Sequence, residues 1–146
     1  TLPAMHAWPA DLDEAVAEIR RVAAWLITEG KFPVFLGGEH AITGPIVAAM
    51  AQRHSGLSVL HIGAHANLRD RHLGTPHHHR CAMRRALEFA RATQVGIRSL
   101  SPEEAEAAPT LPTETFYDFT VRADDRKIAR IVDSRGEAVY VTISVD

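Results

Sequence analysis

Three short segments of this chain place metal-ligand side chains directly after apolar runs: Gly37-Gly38-Glu39-His40, Gly63-Ala64-His65-Ala66-Asn67 and Ser144-Val145-Asp146. If the apolar runs are strands of one parallel sheet, their carboxyl ends share a rim, and ligands collect at such a rim. His40, His65 and Asp146 would then converge. Two imidazoles and one carboxylate form a reasonable ligand set for zinc or manganese. Nine histidines in 146 residues make metal chemistry worth testing, although histidine also serves as a cap or a surface residue.

The elements that would carry these residues can be read from periodicity and punctuation. Asp11-Leu12-Asp13-Glu14 reads as a helix start, with Asp11 as N-cap and Glu14 completing a capping box. Leu12, Val16, Ile19, Ala23 and Leu26 follow at three- and four-residue steps, and Gly30 is a stop. Pro33 to Leu36 is expected as a buried strand, Thr43 or Pro45 to His54 as a helix, and Leu57 to Ile62 as the next strand. Ala64 to His79 reads as a loop, and Cys81 to Ala92 as a helix by propensity. Thr93 to Ile97 is expected as a strand, and Ser101-Pro102-Glu103-Glu104 opens a helix with serine as cap. Phe116 to Phe119, Asp124 to Val132 and Ala138 to Val145 complete the pattern as strand, helix and strand. This alternation predicts one α/β domain over residues 1–146, a three-layer αβα arrangement with a mainly parallel sheet.

Composition narrows the function classes. The formal net charge is −2, with 23% charged residues, so neither nucleic acid nor an anionic membrane is expected as a partner. No apolar run approaches the roughly 18 residues of a membrane span. The single cysteine, Cys81, permits no intrachain disulfide, and a cytoplasmic location is expected. Cys81 itself has no evident activating base and reads as a packing residue. Arg84-Arg85 with Glu88 reads as an exposed helical face.

The ordered motifs resemble those of the arginase/agmatinase (ureohydrolase) family. Phe35-Leu36-Gly37-Gly38-Glu39-His40-Ala41-Ile42-Thr43 is similar to the family's first signature. His61-Ile62-Gly63-Ala64-His65-Ala66-Asn67 is similar to the second, usually His-x-Asp-Ala-His-x-Asp. Val139 to Asp146 is similar to the start of the third, usually Ser-x-Asp-x-Asp. His79 before Met83-Arg84-Arg85-Ala86, and Gln94-Val95-Gly96-Ile97-Arg98-Ser99, match agmatinase-like members in order and spacing. The resemblance implies an arginase-like fold, of which this stretch is the middle, within a longer protein or completed by a partner. It implies hydrolysis of a small guanidino compound by hydroxide held between two Mn²⁺ ions, and homo-oligomers or pairing with a paralogous subunit. His40 would bind the first metal, His65 and Asp146 the second, and His79 would transfer protons near the substrate. Of the histidine run 77–79, only His79 then has a role.

Three departures bear on that chemistry. Gly63 and Ser144 stand where the family has bridging aspartates, and Asn67 stands where it has an aspartate on the first metal. Carboxylates are the hard oxygen donors that hold a four-positive Mn²⁺ pair. Two readings follow. One is a family member with weak or no activity, serving as a structural or regulatory subunit. The other is an active amidinohydrolase working through a reduced site, a single manganese or zinc at His40, His65 and Asp146.

Overall fold

The computed structural model describes residues 11–124 and 126–145. Asp11 accepts a hydrogen bond from the Asp13 amide (3.0 Å) and so opens helix α1 (Leu12–Thr28), which ends at Gly30 with φ +65°. The reciprocal Glu14 bond of a capping box is not formed among the described residues. A 3₁₀ turn (His40–Ile42) leads into α2 (Thr43–Ala51), and a second 3₁₀ turn (His79–Cys81) leads into the short α3 (Ala82–Ala86). The remaining helices are α4 (Pro102–Ala107), α5 (Asp118–Ala123) and α6 (Arg126–Asp133). Four strands, β1 (Ser58–Ile62), β2 (Arg91–Ile97), β3 (Thr113–Tyr117) and β4 (Val139–Ile143), lie in the order β3-β2-β1-β4, and every pairing is parallel.

Helices flank the sheet as the alternation predicts. Val59 and Ala92 are register partners, and both belong to a core that includes Val47 of α2 and Met83 and Ala86 of α3. Behind α2, Ala23 and Ile27 of α1 pack on Ile46 and Ala49. Gly44 permits the close approach of α2 to α3, since a Cβ there would lie 2.9 Å from Arg85 Cβ. On the opposite face, Thr93 Oγ1 meets Ser134 Oγ at 2.8 Å, and the Arg130 guanidinium lies over the Phe116 ring, 5.7 Å from its centre. None of the described helices is long and apolar enough to cross a membrane.

Several expected boundaries move, each for a physical reason. Residues 31–37 form no strand, and Phe32, Val34 and Leu36 are 94%, 74% and 96% exposed. An apolar run becomes a strand only where a ladder receives it, and this one pairs with nothing among the described residues. Phe35 alone anchors it, packing with Ile42 and Tyr140 against the α1–α2 core. The helix expected over 81–92 stops at Ala86, because residues from Arg91 pair with β1 (Ser58↔Arg91), and pairing overrides helical propensity. The strand expected over 116–119 runs instead from Thr113 to Tyr117, and Phe119 falls in α5.

Gly136 fixes the entry to β4. Its amide donates to Ser58 Oγ (2.8 Å), and a Cβ at this position would collide with the Gly56 carbonyl oxygen. Backbone cannot retreat as a flexible side chain can, so Gly136→Ala should destabilise the fold by about 1–3 kcal/mol. Urea denaturation checks this, and a midpoint equal to that of the unsubstituted protein would contradict the packing.

Candidate functional site at the carboxyl end of the sheet

The rim assembles from β1, β4 and the loops that leave them. His61 and Thr142 are register partners, and His61 and Gln94 are register partners on the other side, so all three side chains point to the α2 face. His61 and Gln94 are fully buried. The Gln94 amide donates to His61 Nδ1 (3.0 Å) and to the Ala66 carbonyl (2.8 Å). The 3₁₀ turn brings His40 over this row, its ring centre 4.9 Å from that of His61. The Asn67 amide donates to His40 Nδ1 (2.9 Å), while His40 Nε2 lies 3.3 Å from Thr142 Oγ1. Thr142 Oγ1 in turn lies 3.1 Å from Thr43 Oγ1. Among the described residues, the result is a polar network, Asn67–His40–Thr142–Thr43 beside Gln94–His61.

Asn67 holds its place through backbone conformation as well as its side chain. Its φ is +53°, a left-handed geometry that asparagine tolerates better than most residues, and its carbonyl accepts from Met83 N (3.1 Å) and Arg84 N (3.2 Å). Gly63 donates its amide to Val95, and a Cβ there would lie 2.8 Å from His61 Nε2 and 3.3 Å from Ser144 Cβ. Positions 63 and 144 are therefore neighbours, as the family resemblance implies. A groove of about 220 Å³ runs along the rim between Phe35, Gly38 and His40 on one side and Tyr140, Thr142 and Ser144 on the other.

Of the residues expected to carry chemistry, His40 sits in the network at this rim. His65 is exposed just beyond β1, its backbone bridged to Ser99. Asp146 lies outside the described residues. His79 opens the second 3₁₀ turn, where its amide and Nδ1 meet Glu39 Oε1 at 2.9 and 3.1 Å. Glu39 and His78 join His79 in a cluster, although of the histidine run 77–79 only His79 was expected to have a role. Its signal was the adjacency of ionisable side chains in the first motif and the histidine run. Cys81 is fully buried, and burial pushes its thiol up while the nearby Arg85 opposes the shift, which suits a packing residue.

The donor set at the rim does not fit a pair of manganese ions. Bridging two divalent cations takes carboxylates placed between them, and positions 63, 67 and 144 carry glycine, asparagine and serine. Among these, only Asn67 has an amide, and its NH₂ is turned toward His40.

A parallel sheet flanked by helices, with these motifs at its strand ends, is the arrangement of the arginase family, whose family model matches residues 2–146. The chain belongs to that family. It is 34% identical over 131 residues to an agmatinase of Bacillus anthracis, covering 88% of this chain and 44% of the relative. It is also 34% identical over 137 residues to an N(1)-aminopropylagmatine ureohydrolase of Synechocystis, covering 92% of this chain and 45% of that protein. Among solved structures, agmatine ureohydrolase of Thermoplasma volcanium superposes with a TM-score of 0.82 at 30% identity, over 92% of this chain and 46% of that one. The chain thus spans slightly less than half the length of these relatives.

Proposed function

We infer that this chain is part of an arginase-family protein that has kept the ureohydrolase scaffold but has weak or no amidinohydrolase activity. The observation that carries this reading is the rim itself, where Asn67 donates to His40 beside Gly63 and Ser144, three positions at which the chemistry needs carboxylates. Its relatives are named for agmatine-type substrates, so a small guanidino compound is the ligand class to test. The role assigned here is that of a structural or regulatory subunit in the cytoplasm, in a homo-oligomer or paired with an active paralogue. Among the described residues β4 is an edge strand with no partner on its outer side, which supports the pairing.

Urea release from agmatine and metal content of the purified protein test the reading together. The expected result is no urea above a protein-free control and less than one manganese per chain. Two manganese per chain with steady urea release would overturn it.

A further inference from the structure

Outside the family rim, the described residues hold one other group of metal-ligating side chains. Glu39 follows Gly38 on the way into the first 3₁₀ turn, while His78 and His79 open the second. Each offers a donor atom, and these atoms lie within 4.8 Å of one another. We propose that Glu39, His78 and His79 form a binding site for a single divalent transition metal, with zinc the best match, separate from the family's two-metal position.

Four observations support the assignment. Two imidazoles and a carboxylate are the protein ligands of one class of zinc site that keeps a fourth position open for water. Tetrahedral zinc with bonds of about 2.0–2.1 Å sets its donors roughly 3.3 Å apart. The Glu39 Oε1–His79 Nδ1 pair already stands at 3.1 Å, close to that spacing. The rings of His78 and His79 are adjacent, with centres 4.0 Å apart, and His72 backs His78 edge-on at 4.4 Å. His78 now accepts the Arg80 amide on Nδ1 (3.2 Å), and ligation through that nitrogen exchanges the amide for the ion.

The segment is also held in place. His77 Nε2 reaches Asp13 of α1 at 2.9 Å, and Cys81 is fully buried at the other end of the turn. The two ligand-bearing turns are further joined by the His79 amide on Glu39 (2.9 Å). A site already tied across two turns loses less conformational freedom on binding a metal than one on a free loop.

The test uses chelator-stripped protein titrated with Co²⁺, whose tetrahedral complexes absorb strongly in the visible, followed by displacement with Zn²⁺. One Co²⁺ per chain, displaced by one Zn²⁺, is expected. His78→Ala and Glu39→Gln should each weaken binding by at least about 100-fold, more than loss of an outer-shell partner costs. His40→Ala and His65→Ala should leave it unchanged. Histidine ring NMR signals of the unsubstituted protein supply a second readout that needs no variant, with His78 and His79 shifting on Zn²⁺ addition. Absence of stoichiometric binding, binding that survives His78→Ala, or binding lost instead with His40→Ala would each overturn the proposal. None of these outcomes depends on whether agmatine is hydrolysed.

Discussion

Replacing Glu104 by alanine should lower the unfolding free energy by about 3 kcal/mol. Glu104 is buried, and its two carboxylate oxygens accept from different places: Oε1 from the Leu68 amide (2.8 Å) and Oε2 from the Ser101 amide (2.8 Å). The second bond, with Glu104 N donating to Ser101 Oγ (3.3 Å), is the capping box that opens α4. The first bond reaches across to the segment after β1. A hydrogen bond to a charged acceptor contributes about 1.5–3 kcal/mol, and truncation leaves two amides without their acceptor. Glu104→Gln keeps one oxygen and turns an NH₂ toward the other amide, so about 2 kcal/mol should be lost. Urea denaturation at unchanged slope is the measurement, where 3 kcal/mol corresponds to a midpoint lower by roughly 1–2 M. A loss below 1 kcal/mol for the alanine variant would mean that the Leu68 amide finds another acceptor and that this segment is not held from α4.

That same residue shows where the sequence was legible and where it was not. Ser101, Pro102 and Glu104 announce a helix start through local spacing, and the helix is there. Nothing local says that Glu104 also grips Leu68, 36 residues away, and the segment 64–79 therefore reads as a plain loop. In the structure much of it is tied down. Arg98 N and Ser99 N donate to Ala64 O, Ala66 N to Ser99 O, and Gln94 Nε2 to Ala66 O. Elements whose signal is local were placed correctly: the Asp11 cap, the helix that starts at Thr43, and β1 with its apolar run. The run at 33–36 failed for the opposite reason. Its hydrophobicity is intrinsic, but a strand is a property of two backbones, and no ladder among the described residues receives it. At the rim, the family resemblance implied that positions 63 and 144 would meet, and a Cβ at 63 would indeed touch Ser144. The partners of His40 were not predictable, because Thr142 and Asn67 reach it only through register and a left-handed residue.

Converting Gly63, Asn67 and Ser144 together to aspartate should raise Mn²⁺ affinity by at least about 100-fold, the larger effect in this chain, because direct ligands matter more than the outer-shell groups whose loss already costs 10–100-fold. Each change acts on a different obstacle. Asn67→Asp keeps a residue type that accepts φ +53° and replaces an amide donor facing His40 by an oxygen that can share a metal with it. Ser144→Asp places a carboxylate beside position 63. Gly63→Asp is the difficult step, since its Cβ would stand 2.8 Å from His61 Nε2. The His61 ring must turn, giving up the Gln94 amide, and without metal this variant should be less stable by about 1–3 kcal/mol. Manganese should restore that loss in the triple variant, because binding to the folded state alone stabilises it by mass action. The single variants should gain little affinity. One added carboxylate leaves the other two of these ligand positions unfilled, so the effects will be far from additive. Depletion of the free Mn²⁺ electron paramagnetic resonance signal measures the affinity, and thermal unfolding with and without Mn²⁺ measures the rescue. An unchanged affinity in a folded triple variant would show that positions 63, 67 and 144 do not face one metal position. The weakness would then lie in the rim's geometry rather than in its missing charge.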